Sequence, residues 1–154
     1  MSDSIQPAVQ IGPAQTARSL AQGRVVGTVQ VAWAAGPFRV RHATDADGNP
    51  ILLCRTGGGL SQALAPRDGD DVAVVLHVEG HAGRVWISGW SHPIHDHAAR
   101  AAALEFAAAN PVSDLLDVGR GFELHHLDVA EVRVERCGEI VDVDLDEYIA
   151  TRCP

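Results

Sequence analysis

Lysine is missing from this chain of 154 residues, and all twelve of its basic residues are arginines. Acidic residues outnumber them at 20, and the formal net charge is -8 at pH 7. This charge argues against a nucleic-acid backbone or an anionic membrane surface as the partner. The absence of lysine also excludes the G-K-[ST] phosphate loop of a nucleotide-binding P-loop protein.

Long apolar runs are missing too, since none approaches the ~20 residues that a membrane-crossing helix needs. The opening "MSDSIQPAVQIGPAQ" has neither the basic nor the apolar part of a signal peptide. We therefore expect a cytoplasmic protein. Cysteines are few: Cys54, Cys137 and Cys153 are widely spaced and form no C-x-x-C pair. We expect them to be reduced, with Cys54 acting as a small apolar core residue.

The length suits a single domain. We predict a flexible N-terminus over residues 1–13 and one domain over 14–154. β-Branched or alternating runs predict strands at 24–33 and 37–44, and an Ala-rich run predicts a helix at 97–110. Further strand signals are the runs "ILLCRT", "DVAVVLHVEG", "RVWISGWSHPI", "GFELHHLDVAEVRVERC" and "EIVDVDL". Short turns between these strands predict a mainly β fold, a small closed antiparallel barrel with flanking helices.

The series "ARSLAQGRVVGTVQ", "PFRVRHATDADGNPILLCRT" and "DDVAVVLHVEGHAGRVWISGWSHPI" resembles the FMN-binding split-barrel superfamily. That superfamily contains pyridoxamine-phosphate oxidases, haem-utilisation proteins and flavin reductases. The tail "GFELHHLDVAEVRVERCGEIVDVDLDEY" is similar to the haem-utilisation branch, and the resemblance covers residues 14–148. It implies a six-stranded antiparallel split barrel with a C-terminal strand and helix extension. It also implies a homodimer with clefts for a flavin or another small planar ligand at the subunit interface.

The resemblance implies a phosphate site at the end of the third strand and in the helical turn after it. Relatives hold FMN phosphate there with Arg or Lys and Ser or Thr. The matching positions in this sequence are Arg55, Thr56, Ser61 and Gln62. The flavin ring of relatives rests against a second-strand region that corresponds to Gly27-Thr28-Val29, so Thr28 is a further candidate. Trp90 is a candidate beside the cleft, with burial in the core as the alternative.

The loop at this position departs from many haem-utilisation relatives. They carry a pattern like "SxLxxHTxNL", whereas this chain reads "RTGGGLSQAL", without the His and the Asn. Backbone amides of a Gly-rich turn can bind an anion, and Arg55 can add a bidentate contact. The same glycines also suit a plain connection between elements, and they cost backbone entropy on folding. The sequence leaves both interpretations open.

Histidines cluster in "SHPIHDH", where His92, His95 and His97 lie beside Asp96. The spacing H-x-x-H-x-H with Pro93 inside it is not a zinc signature, so we expect no metal centre. His95 or Asp96 is instead expected to cap the Ala-rich helix.

Haem is an alternative ligand, because the haem-utilisation relatives are thought to bind iron through a histidine. His125 and His126 are the candidates in the tail, and His42 is another. Since adjacent residues of a strand point to opposite faces, at most one of His125 and His126 faces any pocket.

Three functions remain open from the sequence. The first is a flavin-dependent oxidoreductase or flavin carrier, in which bound FMN supplies the redox chemistry. The second is a cofactor-free dimeric module that binds another protein, which the altered glycine loop favours. The third is a haem-binding or haem-utilisation protein. No nucleophile and base stand at useful spacing, because Ser61 and Ser88 have no neighbouring base and Cys54 lies in an apolar strand.

Overall fold

The protein is described by a computed structural model, which covers residues 11–152. The helices are α1 Pro13–Ala21, α2 Gly59–Leu64, α3 Asp96–Ala109 and α4 Leu145–Ala150, with a 3₁₀ turn at Ser113–Asp117. The strands are β1 Gly27–Val31, β2 Phe38–Thr44, β3 Pro50–Arg55, β4 Val72–Gly80, β5 Gly83–Ile94, β6 Phe122–Arg136 and β7 Glu139–Val143. No helix within residues 11–152 has both the length and the apolar character needed to cross a bilayer.

The strands form a closed antiparallel barrel. Their order is β3-β2-β1-β4-β5-β6-β7, and an additional pairing of β3 with β6 closes a ring of six strands. The long β6 makes this closure possible, since its 15 residues pair with β3, β5 and β7. The predicted six-stranded antiparallel barrel is confirmed, and β7 and α4 follow the six barrel strands in the chain.

The hairpin of β4 and β5 shows how the sequence sets the register. Val74, Leu76 and Val78 alternate with more exposed residues along β4, and they point into the barrel. The pairing runs to Gly80 opposite Gly83, so the chain turns through the two residues between them. Alternation of this kind fixes which face of a strand is buried.

Two apolar clusters hold the fold together. The first fills the barrel and includes Leu52, Leu76 and Ile87, each 0% exposed. The second lies outside the barrel, where Phe106 of α3 packs over Ile51 and its neighbours on β3 and β6. The two faces of β3 are therefore both buried, which explains why "ILLC" reads as an uninterrupted apolar run.

Several element boundaries differ from the sequence prediction. Helix α1 begins at Pro13, where a proline fits the first turn, and Thr16 is buried within the helix. Of the predicted flexible segment, residues 1–10 lie outside the described residues. The first strand is shorter than predicted, and Trp33 lies in the turn after it with φ of 62° and 94% exposure.

Candidate functional site

A pocket of about 570 Å³ opens where β2 and β3 meet the glycine loop. Its walls include three arginines, two glycines and an aromatic ring, and we call it the arginine pocket. The residues that define it are Arg39, Arg41, Arg55, Gly58, Gly59 and Phe122. The pocket concentrates positive charge in a chain whose net charge is -8.

Side chains alternate in direction along β2, so two of these arginines lie on the same face of the strand. In "FRVRH", Val40 points into the barrel and is 3% exposed, so Arg39 and Arg41 share the outer face. Arg41 pairs across the sheet with Leu53 of β3, and Arg55 follows at the end of that strand. Three guanidinium groups thereby meet at the same edge of the barrel.

Only part of this charge is neutralised. Arg41 Nη2 donates to Asp114 Oδ2 at 2.6 Å, and the two side chains are 34% and 35% exposed. Arg39 and Arg55 form no ion pair with any described residue. The guanidinium carbons of Arg41 and Arg55 each lie 6.0 Å from the centre of the Phe122 ring. This places both cations at the outer range of a cation–π contact with one ring, and the pocket keeps two unpaired positive charges.

The glycine loop is closed on itself by the side chains that follow it. The Gly57 N–H donates to Ser61 Oγ at 3.2 Å, and Gln62 Nε2 donates to the Gly57 carbonyl at 3.0 Å. Ser61 Oγ also donates to Glu123 Oε1 at 2.9 Å. Two of the predicted phosphate ligands, Ser61 and Gln62, are therefore engaged by the loop and by a carboxylate. Thr56 also contributes to lowering the pKa of Glu123.

Glu123 joins the loop to two buried groups of the barrel. Its Oε2 lies 2.5 Å from His125 Nε2. Partial burial raises the pKa of Glu123, but the hydrogen bonds from His125 and Ser61 outweigh it and the pKa is lowered overall. Burial lowers the pKa of His125, and the contact with Glu123 only partly offsets this. Burial, with the nearby charge of Glu123, raises the pKa of Cys54 to about 12.

The other two predicted cofactor residues lie on different parts of the outer face. Thr28 of β1 is half-buried and pairs directly with Arg39, which puts it next to the arginine pocket. Trp90 is 51% exposed on β5. It borders a separate shallow pocket of about 310 Å³ with Gln30, Ala73 and Ser88. Thr28 therefore lies beside Arg39 on the neighbouring strand, and it lines neither the arginine pocket nor the pocket of Trp90.

The two tail histidines are held by carboxylates. His125 is 1% exposed and faces Cys54 and Glu123 inside the barrel. His126 lies 3.0 Å from Asp45 Oδ2 through Nε2 and 2.8 Å from Asp128 Oδ1 through Nδ1. The hydrogen bond to Asp45 raises the pKa of His126 more than burial lowers it. Neither histidine lines the cavity of about 1010 Å³ beneath α3.

The histidines before α3 do not form one group. His95 occupies the cap position of α3, but its side chain makes no capping hydrogen bond. Asp96 begins the helix with φ of 54° and does not cap it either. His92 instead approaches His126, with 5.2 Å between ring centres, and its Nδ1 is 3.6 Å from Asp128 Oδ2.

Sequence reasoning missed the residues that give the site its character. Arg39 and Arg41 were readable from the R-x-R alternation of a strand that the sequence predicts. Phe122 and Glu123 carried no local signal, because their pairing with the end of β3 depends on how the barrel closes.

Comparison with known proteins places the fold. No family model matches the sequence, and no curated protein matches it. A heme binding protein from Mycobacterium smegmatis superposes with a TM-score of 0.70 at 19% identity; the match covers 93% of this chain and 62% of that one. A Clostridium acetobutylicum protein related to general stress protein 26, of the pyridoxinephosphate oxidase family, gives a TM-score of 0.59 at 11% identity. That match covers 88% of this chain and 96% of the other.

General stress protein 26 from Bacillus anthracis adds a third match. It has a TM-score of 0.56 at 10% identity, and the match covers 84% of this chain and 98% of that one. At such low identities the matches establish the arrangement of the strands, and function has to be argued from the site. The chain has the split-barrel fold of the pyridoxinephosphate oxidase-like proteins.

Proposed function

We propose that the protein binds FMN, with the phosphate in the arginine pocket and the ring in a cleft that a second copy of the chain completes. The observation that supports this most is that Arg39, Arg41 and Arg55 line one pocket, in which only Arg41 is paired with a carboxylate of the described residues, that of Asp114. Because the net charge of the chain is -8, a pocket lined by three arginines differs in sign from the protein as a whole. The resemblance of the sequence to the FMN-binding split-barrel superfamily motivates the choice of this ligand class.

The guanidinium groups have the chemistry that a phosphate needs. Arg55 and Arg39 have no carboxylate partner among the described residues, so each can offer a pair of N–H donors to phosphate oxygens. Arg41 is fixed by Asp114 through Nη2, and its remaining N–H groups stay available because a guanidinium carries five. Ser61 and Gln62 are engaged elsewhere, so the arginines rather than the loop side chains carry the phosphate contact.

The volume and the partly apolar lining of the pocket also suit a bound cofactor. A volume of about 570 Å³ falls within the usual range of ligand pockets. At Gly59 a Cβ would lie 3.3 Å from Phe38 Cε1, so glycine keeps the loop close to this ring. Apolar walls with a few convergent charges are typical of cofactor sites.

Bound FMN would supply electron-transfer chemistry, and the protein would bind and orient it. An FMN-dependent oxidoreductase and a flavin carrier use the same pocket, and they differ in whether a substrate reaches the ring. A cofactor-free binding module on this fold predicts instead that FMN has no measurable affinity.

Titration with FMN and with riboflavin tests the proposal, followed by quenching of flavin fluorescence. Because riboflavin lacks the phosphate, FMN should bind more tightly by tenfold or more, as expected for charge-assisted hydrogen bonds of about 1.5–3 kcal/mol. Arg55→Gln and Arg39→Gln should each weaken FMN binding and leave riboflavin binding unchanged.

Arg84→Gln is the matched control, since Arg84 lies at the far hairpin and pairs with Glu79. It should bind FMN like the unmodified chain. Equal affinities for FMN and riboflavin, or an equal loss in all three variants, would contradict a phosphate site here. A dimer that quenches neither flavin would favour the cofactor-free module.

A further inference from the structure

A second group of polar side chains lies at the mouth of the barrel, and one of them, Cys54, also lines the arginine pocket. Cys54 Sγ, a Glu123 carboxylate oxygen and a His125 ring nitrogen all lie within 4.8 Å of one another. Cys54 and His125 are 7% and 1% exposed, and the Glu123 side chain is 28% exposed. Three groups of this kind rarely meet in a barrel interior that is mostly apolar.

The sheet itself brings these groups together. Cys54 of β3 is directly opposite Glu123 of β6, and His125 is two residues further along the same face. Directly opposite and diagonal positions on paired strands are the ones whose side chains touch. Ligands that stand on paired strands are held more rigidly than ligands on loops.

We propose that Cys54, Glu123 and His125 bind a divalent transition metal ion of the zinc class. Thiolate, imidazole and carboxylate are the three donors that zinc accepts in proteins. A thiolate and a carboxylate together balance the double positive charge, so the ion and its ligands are neutral in the barrel mouth. Three protein ligands leave the fourth tetrahedral position open, as in zinc sites that bind water or a small ligand.

Binding of the ion would replace contacts that these three side chains now make. The thiol proton leaves to solvent, and the His125 N–H moves from Nε2 to Nδ1, which has no partner among the described residues. The ion then replaces the hydrogen bond between Glu123 Oε2 and His125 Nε2. Ser61 keeps its hydrogen bond to Oε1 and orients the carboxylate from outside, a common role for an outer partner of a metal ligand.

A route to solvent exists on the Glu123 side. Glu123 and Thr56 both line the cavity of about 1010 Å³ beneath α3. An ion can therefore reach the carboxylate without passing through the barrel core. The site does not depend on bound flavin, and it can be tested in flavin-free protein.

Cobalt(II) is the probe, because its thiolate complexes show a charge-transfer band in the near ultraviolet and tetrahedral sites absorb strongly in the visible. Protein stripped with a chelator should bind one equivalent with both features, and Zn²⁺ should displace it. The double variant Cys137→Ser with Cys153→Ser leaves Cys54 as the sole thiol of the chain. The charge-transfer band should persist in this variant.

Ligand variants give the second arm. Cys54→Val should abolish the charge-transfer band. Glu123→Gln should weaken cobalt binding by about 10–100-fold or more, the size reported for even an outer partner. His126→Gln is the control, because His126 belongs to a separate group with His92 and Asp128, and it should leave the band unchanged.

Absence of a thiolate band in the unmodified protein would overturn the proposal. Loss of the thiolate band in the Cys137→Ser, Cys153→Ser double variant would also overturn the proposal. These two outcomes need no ligand variant, so they decide the matter even where Cys54→Val fails to fold.

Discussion

His42 is buried in the barrel wall with a backbone carbonyl at each ring nitrogen. Nδ1 lies 3.1 Å from Ala21 O, and Nε2 lies 3.0 Å from Val25 O. A neutral imidazole has one N–H and satisfies one of these carbonyls, whereas a protonated ring satisfies both. Burial nevertheless lowers the pKa of His42, against the two backbone contacts that raise it. The pKa is lowered overall, so the neutral form of this ring is favoured more than in a free histidine.

His126 responds to pH in the opposite sense from His42 and His125. Its pKa is raised above the ordinary 6.5 by Asp45 in particular. A raised histidine pKa stabilises the folded state fully at pH values below 6.5. This stabilisation is lost as the pH rises through the pKa that the histidine has in the folded protein. For His42 and His125 the pKa is lowered, so their contribution is present above 6.5 and is lost as the pH falls below it.

Replacement of His126 tests this assignment. His126→Gln should lower the free energy of unfolding more in solution below pH 6.5 than in alkaline solution, because the lost ion pairs require a protonated ring. Denaturant unfolding at the two pH values measures the difference. His81→Gln, at the exposed tip of the β4–β5 hairpin, should show no such dependence. A His126→Gln effect that is equal at both pH values would contradict the assignment.

Helix α4 is short, and it is fixed by one buried tyrosine. Tyr148 is 0% exposed, and its hydroxyl donates to the Gly48 carbonyl at 2.6 Å. The Arg18 guanidinium carbon lies 5.3 Å from the centre of the tyrosine ring, and Arg18 Nη2 donates to the Ala46 carbonyl at 3.0 Å. The helix thereby connects the β2–β3 turn to α1 and closes that end of the barrel.

Graded replacement of Tyr148 separates its ring from its hydroxyl. Tyr148→Phe should cost about 1–2 kcal/mol of unfolding free energy, because a buried carbonyl loses its donor. Tyr148→Ala should cost about 3–5 kcal/mol, the usual cost of emptying an aromatic site. Ile149→Ala is the control on the same helix, with 44% exposure, and should stay within about 0.5 kcal/mol. Equal effects of the tyrosine and isoleucine variants in denaturant unfolding would show that α4 is not held in this way.

The β2–β3 turn needs glycine at position 48 for two reasons. Its φ is 86°, and a Cβ there would lie 2.0 Å from Arg18 Nη1 and 2.6 Å from Tyr148 Cε2. Gly57 has a similar φ of 80° with nothing within 4 Å of its Cβ position. Gly57→Ala should therefore cost about 1–2 kcal/mol from backbone strain alone, and Gly48→Ala distinctly more. Thermal unfolding of the two variants gives the comparison, and equal losses would contradict the steric part.

The outer face of β1, β4 and β5 is the candidate surface for dimer formation. The shallow pocket on this face carries Trp90 and no charged side chain. A neighbouring pocket that also carries Trp90 is lined by Arg67 and three aspartates. An exposed aromatic residue with an apolar surround and a charged rim is typical of protein interfaces. This face adjoins the arginine pocket through Thr28, which pairs with Arg39. We therefore expect the second subunit to cover it and to complete the flavin cleft.

Sedimentation tests the expected homodimer. The chain should sediment as a dimer at micromolar concentration. Ser88→Arg, which adds a charge beside Trp90 on this face, should shift the chain toward monomer and weaken FMN binding together. Glu79→Gln, at the far end of the β4–β5 hairpin, should change neither. A monomeric unmodified chain with full FMN affinity would contradict the shared cleft.

The sequence predicted the barrel better than the site, and the reason is physical. Strand alternation, the β4–β5 turn and the Ala-rich helix are local patterns, so they are readable one segment at a time. The contact between Ser61 and Glu123 joins residues 62 positions apart, and only closure of β3 on β6 creates it. The same closure brings Phe122 beneath Arg41 and Arg55. The direction of the Ser61 side chain depends on these distant groups, so it cannot be predicted from the sequence of the loop alone.

The most direct test of the arginine pocket is a crystal structure of the protein grown with FMN. We predict that the phosphate lies within hydrogen-bonding distance of the Arg55 guanidinium, beside Arg39, with the flavin ring between two subunits. FMN phosphate bound away from all three arginines, or a flavin enclosed by a single subunit, would contradict the proposed site.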